Sequence, residues 1–268
     1  MTQSVAPIVV PPSVQWIDVH VHLDKLEEGV EAALSQARAA GVQRMITIGT
    51  EPNDLPVVLE LAEKNAPMVY CSLGIHPHEA ELWDHRVCDF IREKSSHPRV
   101  VALGEMGLDY YYNNSTPQVQ KRAFQEQLSL AAELSLPVEI HTRDAESDTV
   151  ELLRPFKGQV KGIIHCFTGS AWLAQQCLDL GYDISLSGVV TFKNAEALRK
   201  IAEFVPLDRL HIETDAPFLA PVPQRGKKNT PAFVVHTAAA VAQIKGISIE
   251  TLSSHCWNNS RRMFSKMN

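Results

Sequence analysis

The sequence contains no pair of cysteines spaced CxxC, no glycine-rich phosphate loop of the GxGxxG or GxxxxGK[ST] type, and no apolar run approaching the length of a membrane span. The first absence excludes a dithiol redox motif and a four-thiolate structural zinc. The five cysteines, Cys71, Cys88, Cys166, Cys177 and Cys256, are scattered and odd in number. That is the pattern of reduced thiols, so no disulfide and a cytoplasmic location are expected. The second absence weighs against an open sheet that binds a dinucleotide at its first turn. The third, together with the lack of a basic and then apolar leader at the N-terminus, predicts neither a span nor a secretory signal. Positive charge is also in deficit: 25 Lys and Arg against 31 Asp and Glu give a formal net charge of -6. A chain of this balance does not coat duplex nucleic acid through counterion release, and a nucleic-acid substrate would need a local basic site.

Apolar residues are plentiful, at 45% of 268 positions, enough for a large core. After a proline-containing tail over residues 1–14, strand-length apolar runs alternate with helical patterns to the C-terminus. The predicted strands are Trp16 to Leu23, Arg44 to Gly49, Val69 to Ile75, Val100 to Glu105, Val138 to Thr142, Gly162 to Phe167, Asp183 to Ser187 and Leu210 to Thr214. Between the first two, Val30, Ala33, Leu34 and Ala37 recur at helical spacing, with Gly41 as the stop. The longest helix is predicted from Pro117 to Leu136, and shorter ones over Leu55 to Glu63, Ala145 to Arg154, Ala171 to Leu180 and Asn194 to Phe204. Two final helical segments run from Pro231 to Lys245 and from Ile249 to Phe264. Eight strands alternating with helices predict an α/β fold, a single (β/α)8 TIM-type barrel over residues 15–268, rather than an open sheet or two domains.

Such barrels carry their chemistry at the C-terminal strand ends. His20 and His22 fall at the end of the first predicted strand, Glu105 at the fourth, His141 at the fifth, His165 at the sixth and Asp215 at the eighth. Residues two apart on a strand point the same way, so the HxH pair can grip one ion, with Val19 and Val21 directed outward toward the helices. An HxH pair alone is commonplace in a chain with 11 histidines. Coincidence at five independent strand ends is not. Four histidines and two carboxylates exceed the needs of one ion, which predicts two divalent metal ions sharing Glu105 as a bridge. His20, His22 and Asp215 are assigned to one ion, and His141 with His165 to the other. Cys166 is expected to point away from the barrel mouth, while Asp18 and Glu213, two residues before ligands, are read as their supports. Imidazole and carboxylate ligands accommodate Mg, Mn or Zn without choosing among them.

These residues lie within ordered motifs: Asp18-Val19-His20-Val21-His22-Leu23-Asp24, Gly74-Ile75-His76-Pro77-His78, Gly104-Glu105-Met106-Gly107-Leu108-Asp109-Tyr110-Tyr111, Ile140-His141-Thr142-Arg143-Asp144-Ala145, His165-Cys166-Phe167-Thr168-Gly169 and Glu213-Thr214-Asp215-Ala216-Pro217. Through them nearly the whole chain resembles the TatD family of metal-dependent hydrolases, which includes deoxyribonucleases. The resemblance implies the same six metal ligands, His20, His22, Glu105, His141, His165 and Asp215. Two positions depart from the family's pattern: Val21 where Cys is frequent, and Thr230 where Glu or Gln commonly precedes Pro-Ala.

The expected reaction is hydrolysis of DNA phosphodiester bonds, exonucleolytic on a single strand or an end, by a metal-activated water whose proton Asp215 accepts. His76, Arg143 and Lys193 are candidate substrate contacts, and Arg225, Lys227 and Lys228 add positive charge after the eighth strand. The alternative is hydrolysis of an ester, lactone or amide on the same two-metal site. Related enzymes of that kind often carry a carboxylated lysine at the fourth strand, where this chain has Glu105. A non-catalytic barrel is disfavoured, because it would have no physical need for six buried ligand groups. No membrane and no obligate protein partner are expected.

Overall fold

In the computed structural model, which describes residues 11–268, eight parallel strands pair in sequence order around one sheet. Most of the N-terminal tail, residues 1–10, lies outside the described residues. The strands are β1 (Trp16–Val21), β2 (Val42–Ile48), β3 (Val69–Leu73), β4 (Val100–Asp109), β5 (Val138–Arg143), β6 (Gly162–Ile164), β7 (Asp183–Leu186) and β8 (Leu210–Ile212). They read as near-continuous apolar runs because helices cover one face and the barrel interior buries the other. Nine α-helices follow among the described residues: α1 (Val30–Ala39), α2 (Leu55–Lys64), α3 (His85–Lys94), α4 (Pro117–Leu134), α5 (Glu146–Leu153), α6 (Ala171–Leu180), α7 (Glu196–Phe204), α8 (Val234–Lys245) and α9 (Ile249–Met263). The architecture is the (β/α)8 barrel read from the sequence. Among the described residues, no single helix is long and apolar enough to cross a membrane.

One helix, α3, is not apparent in the apolar pattern. It buries only Val87 and Ile91, one turn apart, and its start is set instead by the Asp84 carboxylate, which accepts from the backbone N–H groups of Arg86 and Val87. Other starts use the same device through Thr116, Ser170 and Ser248.

The barrel closes between β8 and β1 at the end where the ligand candidates cluster. The Asp215 N–H donates to the carbonyl of His20 at 3.0 Å, and the His22 N–H to that of Ala216 at 2.8 Å. Asp18 takes part directly: its carboxylate accepts from the Thr214 N–H at 2.9 Å and the Thr214 hydroxyl at 2.5 Å. Its role is therefore to seal the seam beside the ligands rather than to touch a histidine ring.

The opposite end is plugged. Met263, Phe264 and Met267 form a separate apolar cluster with Ile17, Val19, Ile46, Ile48, Val101 and Ile163, side chains from β1, β2, β4 and β6 that meet inside the barrel. Val19 thus faces the interior, contrary to the expectation that it points at the helices, while Val21 packs in the main core as expected. The cause is a register shift in the β1–β2 pairing between Asp18 and Val21, which breaks strict alternation just before His20.

Candidate metal centre

The local sequence Gly104-Glu105-Met106-Gly107 brings β4 unusually close to β5. A Cβ at Gly104 would meet the Glu139 carbonyl oxygen at 2.6 Å, and one at Gly107 the His141 carbonyl oxygen at 1.9 Å; both glycines have positive φ, +144° and +140°. Only glycine fits either place. β4 therefore continues past Glu105, with Gly107, Leu108 and Asp109 opposite His141, Thr142 and Arg143. The carboxylate is left pointing into a ring of histidines.

Glu105 Oε2 lies 3.5 Å from His20 Nε2, while Oε1 lies 3.0 Å from His141 Nδ1, 3.2 Å from His165 Nε2 and 3.5 Å from His76 Nε2. Asp215 Oδ1 is 3.4 Å from His22 Nε2 and 3.9 Å from His20 Nε2. The structure thus brings together all six residues expected as ligands. Their atoms form three sets, each within 4.8 Å: His20, Glu105 and His165; His20, His22 and Asp215; His76, Glu105 and His141. His165 stacks on His20, with ring centroids 3.6 Å apart, and His141 joins His76 across Glu105. His76, expected as a substrate contact, therefore stands among the ligand-type groups.

The donor set fits a divalent cation. Buried His20 Nε2 and His22 Nδ1 have no hydrogen-bond partner, an arrangement that otherwise costs free energy. Burial and neighbouring His165 oppose a positive charge on His20, yet Glu105 and Glu139 push its pKa up to about 10. Burial likewise opposes ionisation of Glu105, but His76 and His165 beside it, with hydrogen bonds from His141 and His165, hold its carboxyl well below the usual carboxylate range. The cluster is therefore a buried anion surrounded by groups able to share positive charge.

The rings are oriented from behind. His20 Nδ1 donates to Glu139 at 2.8 Å, leaving Nε2 to face Glu105. His165 Nδ1 donates to Glu213 at 2.9 Å, and the same carboxylate accepts from the Cys166 N–H and the Ser185 hydroxyl. Glu213 thus has the supporting place expected of it. Asp109 holds both His141 and His78, each at 3.1 Å. Glu139 and Asp109 escaped the sequence reading. A signal for Glu139 was present, since a carboxylate between the buried apolar residues Val138 and Ile140 requires a partner. Glu139→Gln is expected to lower manganese affinity roughly 10–100-fold, as loss of a partner behind a ligating histidine does. Equilibrium dialysis measures it, and unchanged affinity would reduce Glu139 to a packing role.

Above the cluster opens a cavity of about 700 Å³ lined by His22, His76, Glu105, His141, His165 and Asp215 among others. Arg143 lines it too, with its guanidinium 3.9 Å from the ring centre of Tyr111 and 4.9 Å from that of Tyr112. Lys193 is exposed and is not on the cavity wall. Arg225 stacks over Phe192 at 3.9 Å, Lys227 bonds Gln224, and Lys228 pairs with Glu27 at 2.9 Å. Cys166, contrary to expectation, lines the cavity: β6 ends at Ile164 and Cys166 has φ +41°, so alternation no longer applies. Thr230 is buried and off the wall, in a segment tied to the Asp215 loop by Asn229, whose side-chain amide donates to the carbonyls of Thr214 and Phe218.

A family model described as TatD related DNase matches residues 17–265. The chain is 40% identical over 255 residues to the uncharacterized metal-dependent hydrolase YcfH of Escherichia coli, covering 92% of this chain and 95% of that one. It is 38% identical over 254 residues to the 3'-5' ssDNA/RNA exonuclease TatD of Musicola paradisiaca, covering 92% and 96%. Among solved structures, the TatD homologue YJJV of Escherichia coli K12 matches with a TM-score of 0.88 at 29% identity, over 94% of this chain and 99% of that one.

Proposed function

The chain belongs to the TatD family of metal-dependent hydrolases, and we propose that it acts as a deoxyribonuclease, removing nucleotides from a single strand or a strand end. The observation that carries this reading is the placement of Glu105, one carboxylate whose two oxygens face different histidine sets at the floor of an open cavity. Two divalent cations, Mg, Mn or Zn, when bound there, supply an activated water and a counter-charge for the departing oxygen. His20, His22 and Asp215 would hold one, and His165 and His141, with His76 beside them, the other, with Glu105 shared.

The remaining work falls to the chain. Burial opposes the charge on Asp215, but a hydrogen bond from His22 and the nearness of His165 and His20 keep its carboxyl below the usual range, so it is ionised and able to take the proton of the attacking water. Arg143 orients phosphate from the wall. The exonuclease name carried by the Musicola relative agrees with this assignment. β4 contains no lysine, which speaks against the ester or amide reading.

The test is digestion of end-labelled single- and double-stranded DNA with added Mg or Mn, and a chelator as control. Shortening from one end, faster on the single strand and lost with chelator, is expected. If no metal elicits chelator-sensitive cleavage, the nuclease assignment is wrong and ester substrates become the next to assay.

A further inference from the structure

Beyond the metal-ligand candidates, the cavity carries two exposed aromatic rings and two cations whose placement follows the barrel's symmetry. Phe218 lies in the loop after β8 and Lys25 in the turn Leu23–Lys25 after β1. Tyr112 follows β4, and Arg143 ends β5. In an eight-stranded ring closed between β8 and β1, the β8–β1 edge stands opposite β4–β5. One ring and one cation therefore flank Glu105 on one side, and one ring and one cation on the other.

All four side chains reach the cavity, and Arg143 stands 4.9 Å from the ring centre of Tyr112, so that ring and cation are already side by side. Phe218 and Tyr112 are 49% and 55% exposed, whereas Phe192, a further aromatic on the wall, is only partly exposed and has Arg225 closer over its face, at 3.9 Å. Lys25 donates to the neutral Thr50 hydroxyl at 3.1 Å, and among the described residues neither it nor Arg143 forms an ion pair with a carboxylate, although Glu51 and Glu79 share the wall. The rings are fixed at their inner edges: Phe218 meets His22 edge-on at 5.6 Å, and Tyr112 meets His78 edge-on at 5.2 Å. Aromatic faces accept any base, and cations accept any phosphate, so the pairs read a strand without reading its sequence.

We infer that the cavity holds two nucleotides at once, one on each side of Glu105, each through a stacked base and a paired phosphate: Tyr112 with Arg143, and Phe218 with Lys25. The inference rests on the phosphodiesterase reading and sharpens it. The smallest good substrate is a dinucleotide, and a mononucleotide monoester fills only half of the site.

Binding of thymidine phosphorothioate and its di- and trinucleotides to the manganese-loaded protein, followed by calorimetry, tests this without turnover. Affinity is expected to rise roughly tenfold from one nucleotide to two, the scale of one base stack, and little from two to three. Tyr112→Ala and Phe218→Ala should each return the dinucleotide to the affinity of the mononucleotide. Length-independent affinity, or a dinucleotide bound equally well by both variants and the parent, overturns the two-subsite assignment even where the parent protein digests DNA. Absence of DNA cleavage by the parent protein with any metal overturns the nuclease reading itself.

Discussion

Asp215→Asn should lower turnover of single-stranded DNA by about 10²–10⁴-fold, the contribution of a positioned general base, while leaving the protein folded. The choice of asparagine matters. Asp215 has φ +55°, a left-handed conformation that Asn adopts about as readily as Asp and that alanine resists. Its N–H bond to His20 and its carbonyl bond to the Phe218 N–H are main-chain contacts that survive the change, so the β8–β1 seam stays closed. The amide oxygen can still face His22. What disappears is a negative charge able to receive a proton. Steady-state digestion of a labelled strand alongside a thermal melt separates the two effects. Parent-level turnover in a folded Asp215→Asn protein would remove Asp215 from the proton-accepting role.

The second large effect is expected at Glu105→Gln. Glu105 is the only carboxylate shared by two of the three ligand sets, and its oxygens point to opposite sides, Oε2 to His20 and Oε1 to His141, His165 and His76. Glutamine keeps the volume but replaces an anion by a neutral group with one acceptor oxygen. Manganese affinity should therefore fall by more than the roughly 10–100-fold typical of losing a partner behind a ligand, and the number of ions bound per chain should drop. DNA cleavage should be lost with it. Equilibrium dialysis followed by metal analysis reads both quantities. Two ions held at parental affinity would exclude Glu105 as a bridge.

The contrast between these positions and Glu139 shows how far local sequence reaches. Glu105 and Asp215 are legible because each sits where an apolar run ends, near the mouth of the barrel, even though β4 itself runs on to Asp109. Glu139 occupies the interior of a strand, two residues before His141, and its purpose is visible only when His20, 119 positions away, is found 2.8 Å from it. Cys166 and Val19 mark a second limit. Alternation is dependable along a regular strand, but it lapses where β6 stops and where β1 slips register, and neither event has a strong signature in residue type.

The sequence by itself determined the eight strands, most of the helices and the six ligand candidates, because apolar periodicity and strand-end chemistry are properties of short segments. Only the tertiary structure decided that His76 joins His141 at Glu105, that Asp18 seals the barrel while Glu139 and Glu213 orient histidines, and that Lys193 stands off the cavity wall. These are relations between segments far apart in the chain. Barrel closure sets them, since it fixes which strand ends face one another across the mouth, and no local pattern encodes that distance.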